Sequence, residues 1–196
     1  MTGEVNFMLK SFYDNLNYDL KFQRKITIIT GNSGIGKSDL IRLLSIKNKE
    51  KLRISVLCDY EVKVLTNDSF EIIASNIKRF YLDFSNHDSK KYYDTMRNLL
   101  KQYDNYLFFA DEDFDYLTSK EFASFCKFTD SYYVLISHIP LSNLPYSYTE
   151  IYTLNRIKQT NILHRIFDLD KYNKITDDVN HLYITEDAKS GFQFFS

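Results

Sequence analysis

The chain has 196 residues, of which 44% are hydrophobic and 16% aromatic, enough apolar material for the core of one domain and too much for global disorder. A formal net charge of −1 gives no general attraction to nucleic acid or to an anionic membrane. Cys58 and Cys126 lie far apart without metal-ligand spacing, and no apolar run approaches the roughly 20 residues of a membrane span. Because the N-terminus also lacks the pattern of a signal peptide, we expect a cytoplasmic protein with free thiols.

The predicted elements begin with three strands and a helix. Residues 5–10 (VNFMLK) and 17–22 (NYDLKF) are expected to be antiparallel strands around a turn. Residues 25–30 (KITIIT) are apolar on both faces, which is typical of a buried strand. After a glycine-rich turn, the apolar residues take helical spacing at Leu40, Ile41, Leu43 and Leu44.

The middle of the chain alternates strands and helices. Residues 53–59 and 60–66 alternate polar and apolar residues, which predicts two antiparallel strands. Residues 70–85 are predicted to form a short helix and then a strand near 79–84, and residues 89–103 a helix.

The remaining elements include two further buried strands, 106–111 (YLFFAD) and 132–137 (YYVLIS). Thr118 and Glu121 form a capping-box pattern that predicts a helix start between those strands. The C-terminal part has three strand-like segments, at residues 149–154, 162–169 and 181–185.

Strands that alternate with helices predict an α/β fold with a parallel core. We expect one domain over residues 1–196: an antiparallel flank (1–24), a core (25–140) and a small β-rich C-terminal extension (141–196). The predicted core is a mainly parallel sheet sandwiched by helices.

Residues 31–38 (GNSGIGKS) fit the phosphate-binding pattern G-x-x-x-x-G-K-[ST] at every fixed position. The glycines let the backbone turn tightly, so that its N–H groups face an anion at the positive end of a helix. Lys37 is expected to reach the β- and γ-phosphates, and the Ser38 hydroxyl to bind Mg²⁺. The predicted nucleotide-binding residues in this stretch are Gly31, Asn32, Ser33, Gly34, Ile35, Gly36, Lys37, Ser38 and Asp39.

Polar residues follow the two later buried strands. Asp111 is expected to hold Mg²⁺ through water, and Glu112 to orient and deprotonate an attacking water. His138 is predicted to hydrogen-bond the γ-phosphate or that water, and Ser137 to do so less strongly. The simpler alternative is that residues 111–113 are solvated loop acids and that the histidine is incidental.

Together these segments resemble the ATP-binding cassette (ABC) ATPase domain, a P-loop NTPase of the catalytic-glutamate type. GNSGIGKSDL is similar to its G-x-S-G-x-G-K-S-T-L pattern, with Asp39 in place of Thr. YLFFADE resembles its Walker B strand, and VLISH its switch-histidine strand. The resemblance implies ATP and Mg²⁺ as cofactors and catalytic roles for Lys37, Glu112 and His138. It also implies an aromatic residue that stacks on adenine, for which Phe12, Tyr13 and Tyr18 are in range and Tyr13 fits best.

The resemblance covers residues 5–140, and several features of the family are missing from the chain. The chain lacks the L-S-G-G-Q signature and a convincing Q-loop glutamine. Too few residues separate the phosphate loop from Asp111 for a helical subdomain or a long coiled coil, which argues against a transporter subunit or a DNA-repair ATPase.

We therefore expect an ATPase that drives a conformational or partner switch, with a protein partner or self-association and with no clear signal for nucleic acid. One alternative is a small-molecule or nucleotide kinase, although no arginine-rich lid is visible. Another is a nucleotide-gated binding module with little turnover. A GTPase is less favoured, since no N-K-x-D segment follows the core. The tail 184–196 reads as a final edge strand or as a docking segment.

Overall fold

The structure, a computed structural model, describes residues 4–12, 15–46, 53–83 and 89–167. Within these ranges nine strands and four helices are found. The strands are β1 (Val5–Ser11), β2 (Leu16–Phe22), β3 (Ile26–Ile29), β4 (Ile54–Cys58), β5 (Glu61–Val64), β6 (Tyr106–Ala110), β7 (Tyr132–Ile136), β8 (Ile151–Ile157) and β9 (Thr160–Arg165). The helices are α1 (Lys37–Ser45), α2 (Asn67–Asp83), α3 (Ser89–Leu100) and α4 (Lys120–Phe128).

All nine strands belong to one mixed sheet in the order β4-β1-β2-β9-β8-β3-β7-β6-β5. The pairs β4–β1, β1–β2 and β9–β8 are antiparallel. The pairs β2–β9, β8–β3, β3–β7, β7–β6 and β6–β5 are parallel. Strands of the predicted flank, core and extension are thus all hydrogen-bonded into the same sheet.

The prediction of a mainly parallel sheet sandwiched by helices is wrong. Phe7 on β1 and Phe109 on β6 have ring centroids 5.2 Å apart, although six strand-to-strand steps separate β1 from β6 in the sheet order. Those six steps would span about 29 Å in a flat sheet. The sheet therefore curls until its N-terminal strands lie over β6, and these strands with the single helix α1 cover the face where a helical layer was expected.

The physical reason is the alternating apolar pattern of the first two strands. Phe7, Leu9, Leu20 and Phe22 point to one side and are at most 1% exposed. They bury this apolar surface against Phe109 and the inner face of α1. The opposite face of β3, β6 and β7 packs against α2, α3 and α4, so the molecule has two hydrophobic clusters, one on each side of these strands.

Two local predictions are also wrong. Residues 67–83 form one continuous helix, because Phe70, Ile73, Ile77 and Phe80 share a single buried face. The strands β4 and β5 do not pair with each other, since β4 pairs with β1 and β5 with β6 at opposite edges of the sheet.

Other predictions are confirmed with shifted boundaries. The helix α4 begins one residue later than the capping box implied: the Ser119 hydroxyl accepts from the Phe122 N–H at 3.0 Å and is the N-cap. The strand-like segments near 149–154 and 162–169 are β8 and β9. The segments 181–185 and 184–196 lie outside the described residues.

Both cysteines are free thiols, as expected. In the ranges that the structure describes, no helix combines the length and the apolar character that crossing a membrane would require.

Candidate functional site

The strands β3, β7 and β6 are neighbours and parallel, so their carboxyl ends lie side by side at the same end of the strands. A glycine-rich loop follows β3, Asp111 and Glu112 follow β6, and Ser137 and His138 follow β7. These segments enclose a cavity of about 310 Å³. The cavity is lined by Ser33, Gly34, Gly36, Lys37, Ser38, Asp39, Asp111, Glu112, Asp113, Ile136 and His138.

Of the predicted site residues that the structure describes, nine line this cavity and three do not. Gly31 and Ile35 turn toward the protein interior, and Asn32 contributes its backbone carbonyl to the loop. Tyr13 lies outside the described residues.

The loop between β3 and α1 depends on glycine at two positions for different reasons. Gly34 has a φ of +85° with open space around it, so only its backbone conformation requires glycine. Gly31 has a φ of +118°, and a Cβ built on it would lie 2.6 Å from Thr153 Oγ1 on β8. The start of the loop therefore sits directly against the C-terminal part of the sheet.

Lys37 is the first residue of α1 and is only 6% exposed. Its ammonium group donates hydrogen bonds to the carbonyls of Gly31 at 2.5 Å and of Asn32 at 2.9 Å. Burial lowers the pKa of Lys37, and the nearby Glu112 carboxylate acts in the opposite direction. The loop thus carries a partly desolvated positive charge at its centre, where an anion would be stabilised.

Asp111 is the first residue after β6. Burial raises the pKa of its carboxyl group, with the neighbouring acids Asp113 and Glu112 adding to the rise. Its Oδ1 atom accepts a hydrogen bond from the Asp113 N–H at 3.2 Å, which partly offsets that effect. A carboxylate in this setting is stabilised by a cation placed beside it.

The donor set fits Mg²⁺ bound together with phosphate, since the Asp111 carboxylate and the Ser38 hydroxyl are the oxygen ligands that this ion prefers. In the described part of the chain, no group of three or more His, Cys, Asp or Glu side chains could hold a metal ion by itself. The remaining ligands of a Mg²⁺ ion here would be phosphate oxygens and water, as is usual for this ion.

Glu112 joins the loop after β6 to the loop after β7. Its Oε1 atom accepts a hydrogen bond from the His138 backbone N–H at 2.6 Å, and the His138 Nε2 atom lies 3.8 Å from the same oxygen. The sequence predicted roles for both side chains but gave no signal that the His138 backbone would hold Glu112. Both side chains are about half exposed, so they stand at the mouth of the cavity.

Ser137 and Asp39, which the sequence predicts to contact a bound phosphate, already have hydrogen-bonding or ion-pair partners within the protein. The Ser137 hydroxyl is buried and donates to the Ile139 carbonyl at 2.8 Å, which closes a turn after β7. Asp39 forms an exposed ion pair with Arg42 one helical turn later, at 3.2 Å.

Asn67, which sequence reasoning missed, ties the start of α2 to the loop that follows β6. Its side chain donates to Asp115 Oδ2 at 2.9 Å and accepts from the Asp115 N–H at 2.9 Å. The only signal in the sequence was a polar residue just after a predicted strand, and many loop residues share that signal.

Two of the three aromatic candidates for stacking on adenine lie in the described residues, and their settings differ. Phe12 is 66% exposed, whereas Tyr18 is 1% exposed and its hydroxyl donates to the Gly36 carbonyl at 2.7 Å. The Tyr18 ring is therefore part of the core behind the loop and presents no face to a base. Tyr13, the preferred candidate, lies outside the described residues.

A comparison of the sequence with protein-family models gives no match, and a comparison with curated proteins gives none either.

Proposed function

We propose that this chain binds Mg·ATP in the cavity at the carboxyl edge of β3, β6 and β7 and hydrolyses its terminal phosphate bond. One observation carries the proposal. The loop that bears Lys37 and Ser38 lines the same cavity as Asp111 and Glu112, which come from a segment more than seventy residues later in the chain. A cation, a hydroxyl and two carboxylates around a glycine-rich turn form the set of groups that phosphoryl transfer requires.

The loop and Lys37 supply the phosphate-binding part of the site. Backbone N–H groups at the start of α1 lie at the positive end of the helix dipole and attract phosphate oxygens. The Lys37 ammonium exchanges a carbonyl partner for phosphate oxygens of the β and γ groups. Ser38 and Asp111 would hold Mg²⁺, which when bound neutralises negative charge on the phosphates.

Glu112 is the proposed general base. Its carboxylate takes a proton from a water molecule while the water oxygen forms a bond to the γ-phosphorus. The bond from that phosphorus to the bridging oxygen of ADP breaks, so the products are ADP and inorganic phosphate. The His138 N–H holds one oxygen of Glu112, and the His138 side chain, which lines the same cavity, is the proposed contact of the γ-phosphate or the water.

A second candidate is a nucleotide-gated binding module with little turnover. The observation that favours it is the exposure of the Glu112 side chain, 48%, because bulk water solvates the carboxylate and weakens its control over a single attacking water. In both cases we propose a cytoplasmic protein that switches a partner or a second copy of itself, and the two free thiols suit a reducing compartment.

The first test is nucleotide binding by Lys37→Ala, with Lys78→Ala on the exposed face of α2 as the matched control. Removing a charge-assisted contact worth about 1.5–3 kcal/mol should weaken Mg·ATP binding at least about tenfold. Isothermal titration calorimetry gives the Kd for each variant. Equal affinity of Lys37→Ala and wild type would contradict the proposed site.

The second test is turnover by Glu112→Gln, with Glu71→Gln, also exposed on α2, as the control. Glu112→Gln should keep Mg·ATP binding and lose at least about 100-fold in phosphate release. Wild-type protein that binds Mg·ATP but releases almost no phosphate would support the binding module. ADP production that depends on an added acceptor would identify a kinase.

A further inference from the structure

The back of the phosphate loop is held by residues from two strands far apart in sequence. Tyr18 on β2 donates its hydroxyl hydrogen to the Gly36 carbonyl at 2.7 Å. Asn161 on β9 is paired with Tyr18 in the sheet, and both are 1% exposed. A Cβ built on Gly36 would lie 3.2 Å from the Tyr18 hydroxyl and 3.6 Å from the Asn161 amide, so these two side chains pack directly against the loop.

The Gly36 carbonyl has two hydrogen-bond donors. It accepts from the Leu40 N–H at 3.1 Å, which is the first hydrogen bond of α1, and from the Tyr18 hydroxyl. Since a carbonyl oxygen has two lone pairs, both donors can be accepted together. Gly36 itself has a φ of +94°, and glycine has little intrinsic preference for one backbone conformation. The orientation of the Gly36 carbonyl therefore depends on these two partners.

The peptide plane links this carbonyl to the phosphate side of the loop. In a trans peptide the Gly36 C=O and the Lys37 N–H point in opposite directions. Because Tyr18 and Leu40 hold the carbonyl on the protein side, the Lys37 N–H points back toward the loop. Gly36 and Lys37 line the cavity whereas Tyr18 does not, so the hydroxyl of Tyr18 fixes a donor on the other side of the peptide.

We infer that Tyr18 is a positioning residue for the nucleotide phosphates, acting through the Gly36–Lys37 peptide. The inference rests on the proposed function. Without the hydroxyl, the Gly36–Lys37 peptide keeps its helical hydrogen bond but rotates more freely about it. The Lys37 N–H then loses conformational freedom when phosphate binds. This loss of entropy weakens the affinity of the protein for Mg·ATP.

The test is Tyr18→Phe, which removes one hydroxyl and keeps the ring in the core. We expect the Kd for Mg·ATP to rise about threefold to tenfold, the range of one net hydrogen bond. The KM for Mg·ATP should rise by a similar factor with little change in kcat, because phosphate is held in the ground state and in the transition state alike. Any affinity for adenosine should not change, since adenosine has no phosphate.

The matched control is Tyr133→Phe. Tyr133 is also buried, and its hydroxyl is hydrogen-bonded to Thr129 and to the carbonyl of Phe125, outside the site. Tyr133→Phe should leave the Kd for Mg·ATP unchanged. Thermal unfolding of both variants separates lost stability from lost affinity, and the Lys37 amide resonance in an NMR spectrum reports the peptide directly.

The outcomes separate the inference from the proposed function. Wild-type protein that fails to bind Mg·ATP would remove the function and this inference with it. If wild-type protein binds Mg·ATP and Tyr18→Phe has the same Kd, the inference is overturned and the proposed function stands. A loss of affinity for Mg·ATP and adenosine by equal factors would also overturn it, because that pattern indicates general damage. A Lys37 amide resonance at the same position in Tyr18→Phe and in wild type would also overturn the inference.

Discussion

At the residue scale, Asp111 combines a proposed role in binding Mg²⁺ with an unfavourable contribution to the stability of the fold. Burial raises the pKa of its carboxyl group, so the folded state disfavours the charged form. A raised pKa means that this residue stabilises the fold most below its unfolded pKa of about 3.9. The contribution is lost as the pH rises through the folded pKa, so ionised Asp111 lowers the stability of the folded protein at neutral pH.

Asp111→Asn should therefore raise the melting temperature at pH 7.5, and the difference from wild type should shrink as the pH falls toward about 4. The same variant should bind Mg·ATP more weakly, since an amide replaces the carboxylate beside the proposed Mg²⁺ ion. Thermal unfolding across this pH range gives the measurement. Asp94→Asn, which changes an exposed acid on α3 away from the cavity, is the control. A lower melting temperature of Asp111→Asn at pH 7.5 would contradict the argument.

The sequence predicted the site residues at this scale through their chemical type. A stretch such as GNSGIGKS has a phosphate-binding pattern within eight consecutive positions, so no tertiary information is needed to notice it. Tyr18 and Asn161 could not be predicted in the same way. The pairing of β2 with β9 brings both side chains against Gly36, and their chemistry is the same as that of many other Tyr and Asn residues in the chain.

At the element scale, β8 packs against the start of the glycine-rich loop between β3 and α1. The Thr30 N–H donates to the Tyr152 carbonyl at 2.8 Å, and Thr153 lies against Gly31. The gap between β8 and this loop is too small for a methyl group on Gly31. The conformation of the loop is thus set in part by an element that lies well over a hundred residues later in the chain.

Gly31→Ala should weaken Mg·ATP binding, because its Cβ would meet Thr153 Oγ1 and its φ of +118° is unfavourable for alanine. Adding Thr153→Ala removes the hydroxyl and should restore part of the affinity, while the backbone strain remains. Kd values for the two single variants and the double variant give the coupling free energy between Gly31 and Thr153 in Mg·ATP binding. Affinity losses that simply add would show that Gly31 and Thr153 are not in contact.

The pairing of elements was harder to predict than their existence. The alternation in β4 and β5 correctly indicates half-exposed strands, but the pattern says nothing about which strand lies alongside. The alternating pattern predicts two antiparallel strands here, whereas the structure places β4 and β5 at opposite ends of the strand order. The error in α2 came from Phe80, Tyr81 and Leu82, whose consecutive apolar side chains resemble a strand although Leu82 is 79% exposed on the helix.

At the scale of the whole molecule, the curled sheet connects the site to both ends of the described chain. The loop contacts β2 through Tyr18, β8 through Thr153 and β9 through Asn161. The curl could not be predicted because the contact of Phe7 with Phe109 joins residues about a hundred positions apart. The sequence pattern shows only that Phe7 and Phe109 are apolar.

Mg·ATP binding should therefore slow hydrogen exchange in β8 and β9 more than in β4. Strands β8 and β9 contact the loop through Thr153 and Asn161, whereas no residue of β4 lines the cavity. At a ligand concentration 100-fold above the Kd, amides whose opening breaks the site should exchange about 100-fold more slowly. Mass spectrometry of Glu112→Gln with Mg·ATP gives the comparison. Equal slowing in β4 would show that binding stabilises only the whole fold.

The position of β8 between β3 and β9 has a consequence for protein synthesis. β3 is made early, yet one of its two neighbours in the sheet is not translated until residues 151–157. A nascent chain that carries the whole GNSGIGKS stretch still lacks the strand that packs against Gly31 until about 120 further residues have been added. On the ribosome, the glycine-rich loop between β3 and α1 cannot take its final conformation until β8 has emerged. A chain cut short before β8 would thus carry the complete phosphate-binding motif without a formed site.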